Sequence, residues 1–282
     1  MGILSIQSHV AMGYVGNAAA VFTLQRLGHE VWPIHTLLFS NHPGHGDFGG
    51  RLLNPGLNQE ILDGLNRQGV FQRCDAVLSG YLGSAAVGPL VLEAVELAGA
   101  QNSDSLFVLD PVIGDRETGL FVADEVVVCI RETLVGVADV ITPNLFELEV
   151  LTGRRVDSEK TLFDAIHRLR SSGPRLVVVT GIERGPGTIG TIMVSDDGCW
   201  IVETPALDLG RRANGAGDFF TACFVAHLLE KRNPVAALEN AAAAVHAALG
   251  YTLESGLAEN DLVGSQTRWT NPGQLFTAVQ ID

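Results

Sequence analysis

Short runs of apolar, often β-branched residues alternate along this chain with longer stretches whose apolar positions recur every three or four residues. The runs Ile3–Gln7, Glu30–Thr36, Asp75–Ser79, Leu106–Leu109, Asp139–Thr142 and Leu176–Thr180 predict strands. Between them, Val15–Leu27, Leu57–Gln68, Ala86–Ala98, Asp124–Leu134 and Ser158–Ser171 predict amphipathic helices. The strands are apolar nearly throughout, so both of their faces should be buried, as in a parallel sheet covered by helices. The pattern changes after Thr180. Thr188–Val194 and Cys199–Val202, joined by Ser195-Asp196-Asp197-Gly198, predict an antiparallel hairpin at a sheet edge. The helices Ala216–Leu229 and Pro234–Gly250 follow, the second with Asn233 as N-cap and proline at its first position. Neither a linker nor a repeat divides the chain. The expectation is a single α/β domain over residues 1–282, with a doubly wound, mostly parallel sheet, helices on both faces and the ligand edge at the carboxyl ends of the strands.

Composition narrows the class of partner. Of 282 residues, 46% are hydrophobic and 18% charged, which excludes a disordered chain. The balance of 18 Lys+Arg against 32 Asp+Glu leaves −14, a field that repels phosphate backbones and anionic lipid. Small-molecule substrates are therefore expected, with neither nucleic acid nor membrane as main partner. Cys74, Cys129, Cys199 and Cys223 form no C-x-x-C pair, and Met1–Ile6 lacks the basic and apolar regions of an export signal. Ile6 fails the myristoylation pattern. Ala236–Leu249, the longest apolar helical stretch, is broken by Glu239, Asn240 and His246 and is too short to span a bilayer. These features predict a cytoplasmic protein with reduced thiols.

Several motifs are set aside on context. Gly44-His-Gly46-Asp-Phe-Gly49 and Gly185-Pro-Gly187-Thr-Ile-Gly190 match a dinucleotide pattern, but neither lies in the first strand–helix turn and the second runs into a strand. No phosphate-loop motif G-x-x-x-x-G-K-[ST] occurs. His35, His42 and His45 share a loop without metal-ligand spacing. Asn214-Gly215-Ala216-Gly217-Asp218-Phe219-Phe220 is different. Its glycines permit a tight turn that presents bare N–H groups at the start of an apolar helix, an anion site reinforced by the helix dipole. Asp218 would then be either a dipole-favoured helix-end charge or a base that takes a proton from an attacking hydroxyl, and spacing alone leaves the two level. Asp110-Pro111-Val112 and Thr142-Pro143-Asn144-Leu145-Phe146-Glu147 each follow a predicted strand, where their oxygens suit Mg²⁺. Three such clusters at strand ends point to one phosphate-transfer site.

Together these clusters resemble the ribokinase-like superfamily of small-molecule kinases. Within it, Ser5-Ile-Gln-Ser8-His-Val-x-x-Gly13-x-x-Gly16-Asn17-x-Ala-Ala20, Phe39-Ser-Asn-His42 and Leu78-Ser-Gly-Tyr81-Leu-Gly-Ser84 are similar to the pyridoxal kinases. The resemblance runs in order from residue 3 to about 250. It implies transfer from ATP to the 5′-hydroxyl of pyridoxal, pyridoxine or pyridoxamine, with Mg²⁺ and K⁺ as an activator, in a homodimer. It implies Asp218 as base and the N–H groups of Gly215, Ala216 and Gly217 as anion hole. It places Ser8, His42, Pro43, Gly44 and Tyr81 at the vitamer, with Asp110, Thr142, Asn144, Glu147 and Thr180 at the nucleotide. Asp110 and Glu147 would be nearest the metal, and residues 43–49 would form a flap. Thr180 departs from the family in standing where many bacterial members have lysine, and Pro43-Gly44 replaces a polar pair. Arg211 or Arg212 would neutralise phosphate in place of that lysine, or both are solvated charges. A hydroxymethylpyrimidine or sugar kinase of the same fold, or a vitamer-binding protein without turnover, are the alternatives.

Overall fold

The computed structural model describes residues 1–209 and 214–281. In chain order its elements are β1 (Gly2–Val10), α1 (Asn17–Arg26), β2 (Glu30–Phe39), β3 (Gly50–Leu52), α2 (Pro55–Arg67), β4 (Cys74–Ser79), α3 (Gly88–Gln101) and β5 (Leu106–Leu109). There follow the two-residue strands β6 (Gly114–Asp115) and β7 (Gly119–Leu120), then α4 (Asp124–Cys129), β8 (Val140–Ile141), α5 (Leu145–Thr152) and α6 (Glu159–Arg170). The chain closes with β9 (Leu176–Gly185), β10 (Thr188–Ser195), β11 (Gly198–Pro205), α7 (Ala216–Lys231), α8 (Pro234–Glu254), α9 (Gln266–Trp269) and β12 (Val279–Ile281).

Among the described residues ten strands form one sheet in the order β12-β11-β10-β9-β8-β5-β4-β1-β2-β3. Pairing is parallel from β2 through β9 and antiparallel at both ends. Successive side chains point to opposite faces, and both faces are covered, which explains the uninterrupted apolar runs. Ile3, Ala76, Leu78 and Val178 pack with α1, α7 and α8. Leu4, Val77, Val177 and Val179 pack with α2 to α6. The hairpin predicted after Thr180 forms in the expected register, Val194 opposite Cys199 and Ser195 opposite Gly198. It is not the sheet's edge, because β12 pairs outside it through Cys199, Trp200 and Ile201. Three partly exposed residues carry too little periodicity to announce a strand. The predicted helix over 124–134 is α-helical only to Cys129 and continues to Leu134 as a wider π-helical turn.

Starting from β1, the chain builds outward to β2 on one side and to β4, β5, β8 and β9 on the other. The crevice between β1 and β4 is thus the topological switch point, where strand ends leave room for a ligand. A buried polar cluster braces it from below. Asn17, at the start of α1, accepts from the Ser5 hydroxyl at 2.7 Å, and its amide nitrogen lies 3.1 Å from the Ile34 carbonyl oxygen.

Candidate active site

The site is assembled where the carboxyl ends of β1, β4, β5, β8 and β9 meet the start of α7. Gly215 caps α7 in the left-handed region, φ 80°, and accepts from the Phe219 N–H at 2.9 Å. The first N–H groups of a helix have no partner within it, so those of Ala216 and Gly217 face the strand ends with the positive end of the helix dipole behind them. Asp218 lies in the first turn, half-buried. Removal from water pushes its carboxyl up to about 6, opposed by the Gly16 N–H, which favours the ionised form.

Asp110 follows β5 and is 6% exposed. One of its oxygens accepts from the Thr221 hydroxyl at 2.9 Å. Burial first, then the charges of Glu147 and Asp218, push its carboxyl well above the usual range, while Thr221 and the Val112 N–H oppose the rise. Val112 reaches that position at φ 43°, a conformation β-branched residues rarely adopt, so the turn after β5 holds strain beside the carboxylate. Beyond β8, the Thr142 hydroxyl is 2.9 Å from that of Thr221.

Asn144 and Glu147, in the cluster after β8, form a capping box on α5. Glu147 accepts from the N–H of Ile113 at 2.7 Å and of Asn144 at 2.9 Å, one bond on each oxygen. Its burial raises its carboxyl to about 7 against those bonds. Thr180 bridges Asn144 in parallel, its N–H bonded to the Pro143 carbonyl at 3.0 Å. The expected nucleotide residues thus occupy one rim. Arg211 and Arg212 lie outside the described residues.

On the switch-point side, Ser8 is buried against Gly16, whose missing side chain leaves room for the Ser8 hydroxyl. Tyr81 follows β4, half-buried, with its main-chain oxygen accepting from Thr36 at 2.8 Å; burial raises its hydroxyl pKa. His42 is half-buried, and its Nδ1 accepts from the Gly44 N–H at 3.1 Å and faces the Asn214 amide nitrogen at 3.3 Å. Burial lowers its pKa, with His45 acting in the same sense and Glu259 in the opposite one, which favours a neutral ring that accepts at Nδ1. Pro43 and Gly44 are exposed in a short 3₁₀ turn at the start of the 43–49 loop, which returns along β2 as β3. That loop is held by Phe48 against Phe39, with ring centroids 4.6 Å apart, and by His45 on Glu259 at 3.3 Å. Hydrogen bonds from the Asn41 amide to the Asp47 carbonyl at 3.2 Å and from the Gly49 N–H to the Ser40 hydroxyl at 2.9 Å hold it as well.

Thr221, Glu259 and the close approach of Gly16 to Ser8 escaped the sequence reading. Only Thr221 carried a signal, since a residue three after Asp218 on a helix must share its face. Among the described residues no group of three or more His, Cys, Asp or Glu side chains could hold a metal ion. A surface cleft of about 710 Å³ beyond α5, lined by Arg116, Phe146 and Arg155 among others, contains none of the residues described above.

The sheet order and the helix opened by glycines beside acidic strand ends are those of the ribokinase-like kinases, a class that phosphorylates small alcohols. A family model described as phosphomethylpyrimidine kinase matches residues 67–262. A pyridoxal kinase PdxY of Leifsonia xyli is 42% identical over 284 residues, and one of Corynebacterium diphtheriae is 40% identical over 285, each alignment covering 100% of both chains. The solved pyridoxal kinase of Leishmania donovani in complex with ADP and pyridoxamine superposes with a TM-score of 0.90 at 28% identity, covering 100% of this chain and 99% of that one. This chain belongs to the pyridoxal kinase family.

Proposed function

We propose that the chain transfers the γ-phosphoryl group of ATP to the 5′-hydroxyl of pyridoxal, and of pyridoxine and pyridoxamine, in vitamin B6 salvage. The observation that carries this reading is the meeting of three groups at one strand-end crevice: Asp218 with the N–H groups of α7, the Ser8–His42–Tyr81 side, and the Asp110–Thr142–Glu147 rim. Ser8 would hydrogen-bond the pyridine ring, and Tyr81 would pack against it. Asp218 takes the hydroxyl proton as the oxygen bonds to the γ-phosphorus and the bond to ADP breaks. Charge developing on the phosphoryl oxygens is met by the N–H groups of Gly215, Ala216 and Gly217. Residues 43–49 close over the vitamer, with Pro43 and Gly44 nearest it, and exclude water.

The rim fits Mg²⁺. Besides burial, Asp110 is pushed up by the charges of Glu147 and Asp218, and Glu147 by that of Asp218, a surplus that a cation would relieve. Mg²⁺ needs only one or two protein carboxylates together with substrate phosphates. Asp110 would hold it with the oxygen that Thr221 leaves open, and Glu147 through water, since each Glu147 oxygen already accepts an N–H. The bound ion supplies charge neutralisation at the phosphates. Asn144, Thr142 and Thr180 line the nucleotide. A homodimer active in the cytoplasm belongs to the same reading. Leu38, Leu52, Leu57 and Ile61 stand exposed on β2, β3 and α2, and no described helix is long and apolar enough to cross a membrane.

The family model's description names a methylpyrimidine, which makes hydroxymethylpyrimidine a stronger competing substrate than a sugar. ADP release measured with Mg-ATP, with and without K⁺, against the three vitamers, hydroxymethylpyrimidine and ribose decides between them. Fastest turnover of a vitamer is expected. Faster turnover of the pyrimidine rejects the assignment, and no ADP release with any acceptor leaves a binding protein.

A further inference from the structure

Thr221, on the helix that carries Asp218, hydrogen-bonds the side chains that follow both β5 and β8. It is 2% exposed, and its partners Asp110 and Thr142 are 6% and 4% exposed. The hydroxyl has one proton, and an ionised Asp110 can only accept, so in that form Thr221 donates to Asp110 at 2.9 Å. The 2.9 Å contact with Thr142 must then run the other way, Thr142 donating to Thr221. The result is a buried relay polarised toward one oxygen of Asp110, in which each bond strengthens the next. A mid-helix threonine ordinarily turns its hydroxyl back to the carbonyl four residues earlier. This one is committed across the interface instead, to the ends of β5 and β8.

We propose that Thr221 is a positioning residue for phosphoryl transfer. Its hydroxyl fixes the face of α7 that bears Asp218 against β5 and β8, and it orients the Asp110 carboxylate so that the second oxygen faces the nucleotide and its cation. Asp218 lies three residues earlier on the same helical face, so a turn or slide of α7 that displaced the base would break both Thr221 bonds. The inference rests on the kinase reading above and extends it to a residue that touches neither substrate.

The test compares Thr221→Val, which keeps the shape and removes both bonds, with Thr221→Ser, which keeps the hydroxyl. Binding of the non-hydrolysable analogue AMP-PNP is measured by calorimetry with and without Mg²⁺, alongside kcat and the KM for pyridoxal. In the folded Thr221→Val protein, the gain in AMP-PNP affinity conferred by Mg²⁺ should shrink by about tenfold, the scale of one hydrogen bond to a charged group. The kcat should fall by a similar factor, the KM for pyridoxal should stay within about twofold, and Thr221→Ser should restore both quantities. A folded Thr221→Val protein with the wild-type Mg²⁺ gain and kcat overturns the proposal. If Thr221→Val does not fold, Thr142→Val removes the outer bond alone. A reduction of about twofold or more in the Mg²⁺ gain then supports the relay, and an unchanged gain overturns it. Failure of the kinase reading shows separately, as wild-type protein that neither binds AMP-PNP nor releases ADP, and it takes this inference with it.

Discussion

Gly215 packs so closely on the carbonyl oxygen of Tyr14 that a β-carbon at position 215 would collide with it. The contact joins the loop after β1 to the cap residue of the helix that bears Asp218. Two constraints coincide there, a left-handed φ of 80° and the absence of space, and glycine alone meets both.

Gly215→Ala should therefore disturb the anion hole and leave the core intact. The core of α7 begins at Phe219, so far-ultraviolet circular dichroism should stay native while turnover falls by about a hundredfold, the loss seen when a preorganised oxyanion donor is removed. Gly250→Ala on α8 is the control, since a β-carbon there meets nothing within 4 Å. Equal activity in the two variants would remove the contact with Tyr14 from the account.

Asp218 should set the acid limb of the pH profile. Its carboxyl is pushed up to about 6, and only the ionised form accepts a proton, so kcat/KM for pyridoxal should rise through pH 6 and level off near 7.5. Asp218→Asn should fold, bind ATP and lose at least about a hundredfold in turnover. A variant that keeps more than about a tenth of wild-type turnover rejects the base role, because that loss is only about 1.4 kcal/mol in barrier.

Asp110 should cost the unliganded protein stability. Its folded pKa is raised above the unfolded value, so the folded state binds the extra proton and stability falls as pH rises above the ordinary carboxylate range. Glu147, raised to about 7, acts in the same direction. Six histidines kept neutral by burial (His9, His29, His35, His42, His227 and His246) act in the opposite sense below about pH 6.5. The difference between wild type and Asp110→Asn isolates the carboxylate. By calorimetry the variant should melt at least about 2 °C higher at pH 7.5, and by less at pH 5, since 1 kcal/mol shifts a chain of this size by about that amount. A variant that melts at or below the wild type at pH 7.5 would contradict the buried-charge account.

Much of this molecule was already set by local sequence. Apolar runs too continuous for a one-sided sheet determined the parallel core, since a strand buried on both faces has no polar side to show. The glycines at 215 and 217, with a carboxylate directly after them, determined a glycine-opened helix start with Asp218 in its first turn, because tight turns and bare N–H groups are properties of the backbone itself. Tertiary structure alone decided what Asp110, Glu147 and Asp218 do to one another. They are separated by dozens of residues, and their pKa values depend on the shared removal of water, which no local pattern records. It alone decided that Glu147 is spent capping α5, that β12 covers the hairpin predicted to be the edge, and that His45 ties the 43–49 loop to Glu259. It also made Thr221 the junction of β5, β8 and α7. A threonine in an apolar helix looks like filler until the sheet brings a carboxylate to its hydroxyl.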